Sequence, residues 1–328
     1  MSEPTPREQK PIEQPLVKEQ ADPEAYEQIE ALWNDPEIVS YSLRRHGNYE
    51  RDRTSTMRGS LTPESIQEVK AHAQDWVTRL PGQTEVEIYQ SPSFMPVKRT
   101  DQKTGEEKTI RPMRATITAS LYEKAVFGDL KAVRTESGEV VSARRVTEPR
   151  LGDFLESSTD AEGIGHFYDV LGETYKGLTS EFWDDYTHDT LDPKVAEAIK
   201  DCSGTDSMGL AKNVATFIED THAKASTTQD SKNKRAILAV THGESMRSFT
   251  YFIGKYLEHT KTANEATVDA FRNQDFSYNE GVDIHVTPDE VTIVVANKHA
   301  AALKLEDFKQ YLHGLREEKE SHAAEIIS

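Results

Sequence analysis

The chain has 328 residues, and its 39 Lys and Arg against 57 Asp and Glu give a formal net charge of −18. So acidic a whole argues against nonspecific binding to nucleic acid or to an anionic membrane, since both need clustered positive charge. The single cysteine, Cys202, excludes an internal disulfide framework and a cysteine-rich zinc site; no apolar run is long enough to span a bilayer, and the N-terminus lacks the apolar core of a secretory signal. A cytoplasmic protein without nucleic-acid or membrane partners is expected.

Residues 1–23 are rich in Glu, Gln and Pro and carry almost no apolar periodicity, which reads as a disordered tail. Pro23 and Glu24 open a short helix through Leu32 and Trp33, and Ile38 to Leu43 then reads as a strand. That strand ends in Arg44-Arg45-His46-Gly47, a place suited to a phosphate. A guanidinium offers a fork of donors to phosphoryl oxygens, an imidazole can act as a covalent nucleophile, and glycine lets the backbone approach closely.

Thr62-Pro63-Glu64 supplies a capping hydroxyl, a proline at the first helical position and an acid in the first turn. Ile66, Val69, Ala73, Val77 and Leu80 follow at helical spacing and predict the buried face. Val86 to Tyr89 reads as a second strand ending at Ser91-Pro92. The stretch from Lys98 to Arg111, with its Thr104-Gly105 turn, predicts an inserted charged hairpin. Lys98, Arg99, Lys103, Lys108 and Arg111 could draw an anionic substrate against the acidic background, or could be a solvated surface. Met113, Ile117, Leu121 and Ala125 predict a further helix, and Val140 to Val146 a short strand.

From Ile164 to Ile218 the pattern is helical and aromatic; Asp184 and Asp185 beside the rings favour core packing over base stacking. Ala236 to Val240 is a continuous apolar run, the mark of a parallel strand buried on both faces, and it ends at Thr241-His242-Gly243. A helix with Met246, Phe249 and Ile253 follows, then a hairpin of Val282–Val286 and Val291–Val295. Leu305, Phe308, Leu312 and Leu315 mark a last helix before a charged tail at 319–328. Strands alternating with helices predict a three-layer α/β sandwich around a mainly parallel sheet, with the ligand crevice beyond the carboxyl ends of its strands. His46 and His242 both sit at such ends. One domain over 24–318, with insertions at about 97–112 and 155–209, accounts for the pattern.

Arg45-His46-Gly47, Leu61-Thr62, Ser91-Pro92 and Val240-Thr241-His242-Gly243, in this order, resemble the histidine phosphatase (phosphoglycerate mutase-like) superfamily. The resemblance implies that fold and a metal-independent phosphomonoester hydrolase working through a phosphohistidine on His46. No cofactor and a small phosphorylated molecule as substrate are expected with it. It also implies a clamp of Arg45, Arg114, His242 and Asn48 on the phosphate. Met95-Pro96 stands where the family has its second arginine, so that role passes to Arg114 in Arg114-Ala115-Thr116. The family's general acid falls two residues after a leucine, which points to Asp153 after Leu151, with Glu148 and Glu156 as rivals. Asp153 equally suits a cap or turn. Asn48, Asp52 and Ser65 replace the family's usual residues at their positions, which favours a hydrolase over a mutase. A phosphomutase and a non-catalytic phospholigand- or partner-binding protein remain as alternatives.

Overall fold

In the computed structural model the described residues are 23–50, 60–81, 84–92, 97–100, 104–110, 114–128, 133–134, 140–141, 145–155, 161–227, 234–295 and 299–327. The expected N-terminal tail lies outside them except for Pro23. In chain order, α1 (Pro23–Asn34) leads into β1 (Val39–Arg45), and α2 (Pro63–Arg79) leads into β2 (Glu85–Gln90). The charged insertion is a hairpin of β3 (Val97–Thr100) and β4 (Glu107–Ile110), and α3 (Arg114–Phe127) follows it. Two-residue strands come next: β5 (Val133–Arg134), β6 (Val140–Val141) and β7 (Val146–Thr147). Four helices follow: α4 (Ala161–Tyr175), α5 (Ser180–His188), α6 (Pro193–Asp201) and α7 (Ser207–Thr227). The chain closes with β8 (Arg235–Thr241), α8 (Gly243–Thr260), α9 (Glu265–Arg272), β9 (Gly281–Val286), β10 (Val291–Val295), β11 (His299–Leu303) and α10 (Leu305–Ile327).

One seven-stranded sheet carries the order β11-β10-β9-β1-β8-β2-β7. The pairs β1–β8, β8–β2 and β2–β7 are parallel, whereas β9, β10 and β11 are added antiparallel on the other side. The sheet is therefore mixed, with β1, β2, β7, β8 and β10 running one way. The register is what positions the site. Arg45 pairs with Thr241, so β1 and β8 end flush and the next residues, His46 and His242, emerge side by side. Ser91 N–H donates to the Val240 carbonyl at 2.8 Å, which brings the end of β2 to the same edge.

Alternation along the central strands builds two cores. Tyr41, Leu43, Ile237 and Ala239 face α7 and α8 with Phe217, Phe249 and Phe252. Ala236, Leu238, Val240 and Ile88 face the opposite way, onto α2 and α3 with Val69, Trp76 and Tyr122. Helices on both faces make the three layers, and full burial of each Leu, Ile, Val or Phe among these side chains contributes about 1.5–3 kcal/mol. A third cluster unites α4, α5 and α6 around Phe154, Phe167, Phe182, Tyr186 and Cys202. The aromatic stretch is thus mostly packing: Phe167, Phe182 and Tyr186 are buried, while Tyr168 is 38% exposed.

Local chemistry explains most element boundaries. Thr62 caps α2 by accepting from Ser65 N–H at 3.1 Å, with Pro63 at the first position. The buried face of α2 is Ser65, Val69, Ala73 and Trp76, rotated from the expected stripe, so that Ile66, Val77 and Leu80 are only partly covered. Trp76 sets that rotation: its indole N–H donates to Ser42 Oγ at 2.8 Å and its ring meets Tyr122 edge-on. Val140 and Val146 belong to different sheets rather than one strand. The last helix continues to Ile327 through most of the stretch expected as a charged tail.

Candidate active site

His46 leaves the end of β1 into a buried position, 4% exposed, with its backbone N–H held by the Thr241 carbonyl at 3.1 Å. Its Nδ1 lies 2.8 Å from the Gly47 carbonyl oxygen. A carbonyl can only accept, so the neutral ring carries its proton on Nδ1 and keeps the Nε2 lone pair free of it. Burial, then the charge of Arg114, then His242, push the His46 pKa well below its ordinary value, against the opposing pull of the Gly47 carbonyl. The ring is therefore neutral and nucleophilic at neutral pH.

Gly47 is glycine for a steric reason. A Cβ there would come within 2.6 Å of Ser65 Oγ and 2.9 Å of Val69 Cγ2, both on α2. Its N–H donates to Thr118 Oγ1 at 3.0 Å. Thr118 lies one turn after Arg114 on α3, so this bond fixes the helix that carries the arginine against the backbone that carries the histidine.

The rings of His46 and His242 meet edge-on with centroids 5.1 Å apart. His242 occupies the N-cap position of α8 without a capping side-chain bond, and its Nε2 lies 2.8 Å from Ser91 Oγ. The serine hydroxyl also donates to the Pro92 carbonyl at 2.8 Å, so the hydrogen bond with His242 runs from the imidazole N–H to the serine oxygen. Burial first, then Arg114 and Arg45, lower the His242 pKa to about 3.

Two guanidiniums flank the pair. Arg45 Nη1 donates to the Phe276 carbonyl, its Cζ lies 4.2 Å from the centre of the Tyr278 ring, and its Nε is buried without a protein partner. Gly243 makes room for it, since a Cβ at that position would fall 3.0 Å from Arg45 Nε. Arg114 Cζ sits 4.1 Å over Tyr49. Tyr49 and Tyr278 each lie 5.8 Å from the His46 ring, centre to centre. Cation–π stacking thus holds both arginines extended beside His46. The start of α8 adds backbone dipoles of the same sign.

Asp153 is buried, on the loop after a 3-10 turn at Pro149–Leu151. Two side chains at the His242 strand end stitch that loop down. Thr241 Oγ1 donates to the Leu151 carbonyl at 2.6 Å, and Ser245 Oγ donates to the Gly152 carbonyl at 2.7 Å. Asp153 also accepts from Leu155 N–H at 2.9 Å, so it is a turn residue as well as a pocket residue. Burial, and then the charge of Glu244, push its pKa up to about 7. Ligating atoms of Asp153, His242 and Glu244 lie within 4.8 Å of one another. Among the described residues these are the donor types a metal would want, but the positive charges of Arg45 and Arg114 set the field against a cation there.

Glu148 is tied to Arg150 at 2.7 Å. Burial raises the Glu148 pKa, but the Arg150 hydrogen bonds outweigh this and hold it below its ordinary value. Glu156, Met95 and Pro96, and of the hairpin charges Lys103 and Arg111, lie outside the described residues. Asn48 is exposed, and its amide oxygen accepts from Tyr49 N–H at 2.9 Å. Thr118, Glu244, Tyr49 and Tyr278 join the site without having been singled out in the sequence. Glu244 alone had a visible signal, two residues beyond His242.

No protein-family model matches the chain, and no curated protein matches it. Solved structures do. "Mycobacterial hydrolase 1" is 11% identical over 80% of this chain and 99% of its own, with a TM-score of 0.45. Phosphoglycerate mutase from Bacillus anthracis str. Sterne is 12% identical over 84% of this chain and 96% of its own, at 0.40. A mycobacterial glucosyl-3-phosphoglycerate phosphatase is 12% identical over 80% and 99%, at 0.42. Likeness at these scores says nothing of the reaction, which has to be read from the side chains. Among the described residues no helix is long and apolar enough to cross a membrane.

Proposed function

We propose that the chain is a phosphomonoester hydrolase of the histidine phosphatase superfamily, acting through a phosphohistidine on His46. The observation that carries this reading is the His46 tautomer: Nδ1 is bonded to the Gly47 carbonyl, and Nε2 is left to attack between two guanidiniums. Phosphoryl transfer is mainly positioning and charge stabilisation, because negative charge spreads over the equatorial oxygens in the transition state. Arg45 and Arg114 supply that stabilisation, and His242 completes the clamp through its unprotonated Nδ1, which accepts from a protonated phosphoryl oxygen while Nε2–H is held by Ser91. The substrate is a small phosphorylated molecule, and the scheme uses no metal or cofactor. It is histidine acid phosphatase-like in that Asp153 serves as a protonated acid.

Each step balances. His46 Nε2 attacks phosphorus, the ester P–O bond breaks, and Asp153 transfers its proton to the leaving oxygen. Asp153, now a carboxylate, takes a proton from water as that water attacks the phosphohistidine. The P–N bond breaks, inorganic phosphate departs, and both side chains return to their starting states. A general acid works best with a pKa near the working pH, and burial gives Asp153 such a value.

The test is phosphate release from p-nitrophenyl phosphate and from alkyl phosphates in EDTA, with acid-quenched and alkali-quenched samples to detect acid-labile phosphoenzyme. Turnover that survives EDTA and disappears in a folded His46→Ala protein is expected. Substantial turnover by His46→Ala would overturn the covalent scheme. Phosphate moved between positions of one substrate, without release, would make the chain a mutase. Tight phosphate binding with no turnover would make it a binding protein.

A further inference from the structure

Glu244 has no role in the scheme above, yet it stands against the acid on which the scheme depends. It lies in the first turn of α8, partly buried, two residues after His242. A carboxylate at a helix start is ordinarily explained by the dipole, and that would end the matter if Glu244 faced solvent. Instead its carboxylate belongs to the group of ligating atoms within 4.8 Å of one another that includes Asp153.

Their separation is fixed by bonds on either side. Ser245, the next residue after Glu244, donates to the carbonyl of Gly152, the residue before Asp153. Thr241 makes a second such tie to Leu151. The two backbone segments that carry the carboxyls therefore cannot drift apart without breaking buried hydrogen bonds. Two carboxylates held this close in a desolvated site cannot both ionise easily, so one keeps a proton.

We propose that Asp153 and Glu244 share one proton, with Glu244 as the positioning residue that keeps Asp153 protonated for transfer to the leaving group. This rests on the phosphatase reading for its consequence, but the proton sharing itself can be measured without any substrate. Asp153 is the partner that holds the proton because it is the more deeply buried. Arg114 from α3 favours its ionised form, whereas Glu244 from α8 opposes that form. His242, between β8 and α8, is neutral, and the Tyr168 and Tyr186 phenols from α4 and α5 are pushed up by burial and stay neutral too. Glu244 is thus the negative group that offsets Arg114.

The experiment is a carbon-13 NMR titration of the Asp153 carboxyl, assigned by its loss in Asp153→Asn, in the full chain and in Glu244→Gln. Removing the Glu244 charge should lower the midpoint of the Asp153 titration by about one pH unit or more. In parallel, the alkaline limb of kcat/KM for an alkyl phosphate should move down by the same amount, with that for p-nitrophenyl phosphate less affected. An Asp153 midpoint that does not move in folded Glu244→Gln overturns the pairing, whatever the protein does to phosphate esters. A shifted midpoint in a protein that turns over no phosphate ester supports the pairing and sinks the phosphatase reading instead. If Glu244→Gln loses alkyl phosphate turnover at every pH while Asp153→Asn does not, Glu244 is itself the acid and the assignment is overturned.

Discussion

His242 Nε2 donates to Ser91 Oγ across 2.8 Å, so one buried hydrogen bond joins the ends of β8 and β2 and orients the second histidine of the pocket. Ser91→Ala removes the acceptor and leaves the imidazole N–H buried without it. That should lower stability in urea denaturation by about 1–3 kcal/mol. It should also lower kcat/KM by about tenfold to a hundredfold, since the ring loses its fixed direction. Ser91→Thr keeps the hydroxyl and should retain most of the rate. Equal losses in both variants would show that the packing of residue 91, rather than its hydroxyl, is what matters.

Gly47 sits where a side chain would strike α2, with the nearest atom, Ser65 Oγ, 2.6 Å from an added Cβ. Gly47→Ala should therefore destabilise the protein by about 1–3 kcal/mol, as overpacked sites do. The strain falls on the peptide whose carbonyl holds His46 Nδ1, so activity should drop with it. Shrinking the partner should give part of this back. A Gly47→Ala/Ser65→Gly double variant that is no more stable than Gly47→Ala, once the loss in Ser65→Gly alone is subtracted, would place the strain at Val69 instead.

The parts of this arrangement that could be read from the sequence are those in which chain order and local chemistry suffice. Ala236–Val240 announces a strand buried on both faces, and Thr62-Pro63-Glu64 announces a helix start; both form where expected. The pairing of His46 with His242 follows from two strand ends and one flush register. What could not be read depends on distant partners. The face α2 buries is decided by Trp76 finding Ser42 and Tyr122, not by the spacing of Ile66, Val77 and Leu80. The Ala-rich β11 has little strand propensity of its own and forms by pairing with β10. Thr118 and Tyr278 enter the site through contacts far apart in sequence, which no local motif encodes.

The burial of Asp153 should weaken the fold at higher pH. Its pKa is raised from 3.8 to about 7, so between those values the folded protein holds a proton that the unfolded chain has released. Stability from this group therefore falls as pH rises through that window, and the full penalty applies above it. Asp153→Asn has nothing to ionise. Its melting temperature relative to the parent should rise with pH from about 4 to about 8, with a gain at the upper end of at most about 4 kcal/mol. His46 and His242 act in the opposite sense, because their lowered values remove stability as pH falls below 6.5, and that acid limb should remain in the variant. A difference in melting temperature that is flat with pH would mean that Asp153 is ionised in the folded protein.

Leaving-group dependence separates Asp153 from its neighbours. An alkoxide is a poor leaving group without a proton, whereas p-nitrophenolate departs unaided, so loss of the general acid should be felt on one substrate and not on the other. General acids contribute about 10²–10⁴ in rate. Asp153→Asn should therefore slow alkyl phosphates by about that factor while sparing p-nitrophenyl phosphate to within about tenfold. Glu148→Gln should show no such selectivity, because Glu148 is bound to Arg150 through both oxygens, at 2.7 and 3.0 Å, and its pKa is held low by those bonds. Any effect of Glu148→Gln should appear as lost stability, since Arg150 also bridges to Asp220. Glu156→Gln completes the set. Single-turnover measurements on both substrates would show whether the selective loss lies in phosphoenzyme formation, where the leaving group departs, or in its hydrolysis, where the same carboxylate must take a proton from water. Selectivity that follows Glu148 or Glu156 would move the acid to that residue and leave Asp153 as a turn residue bonded to Leu155.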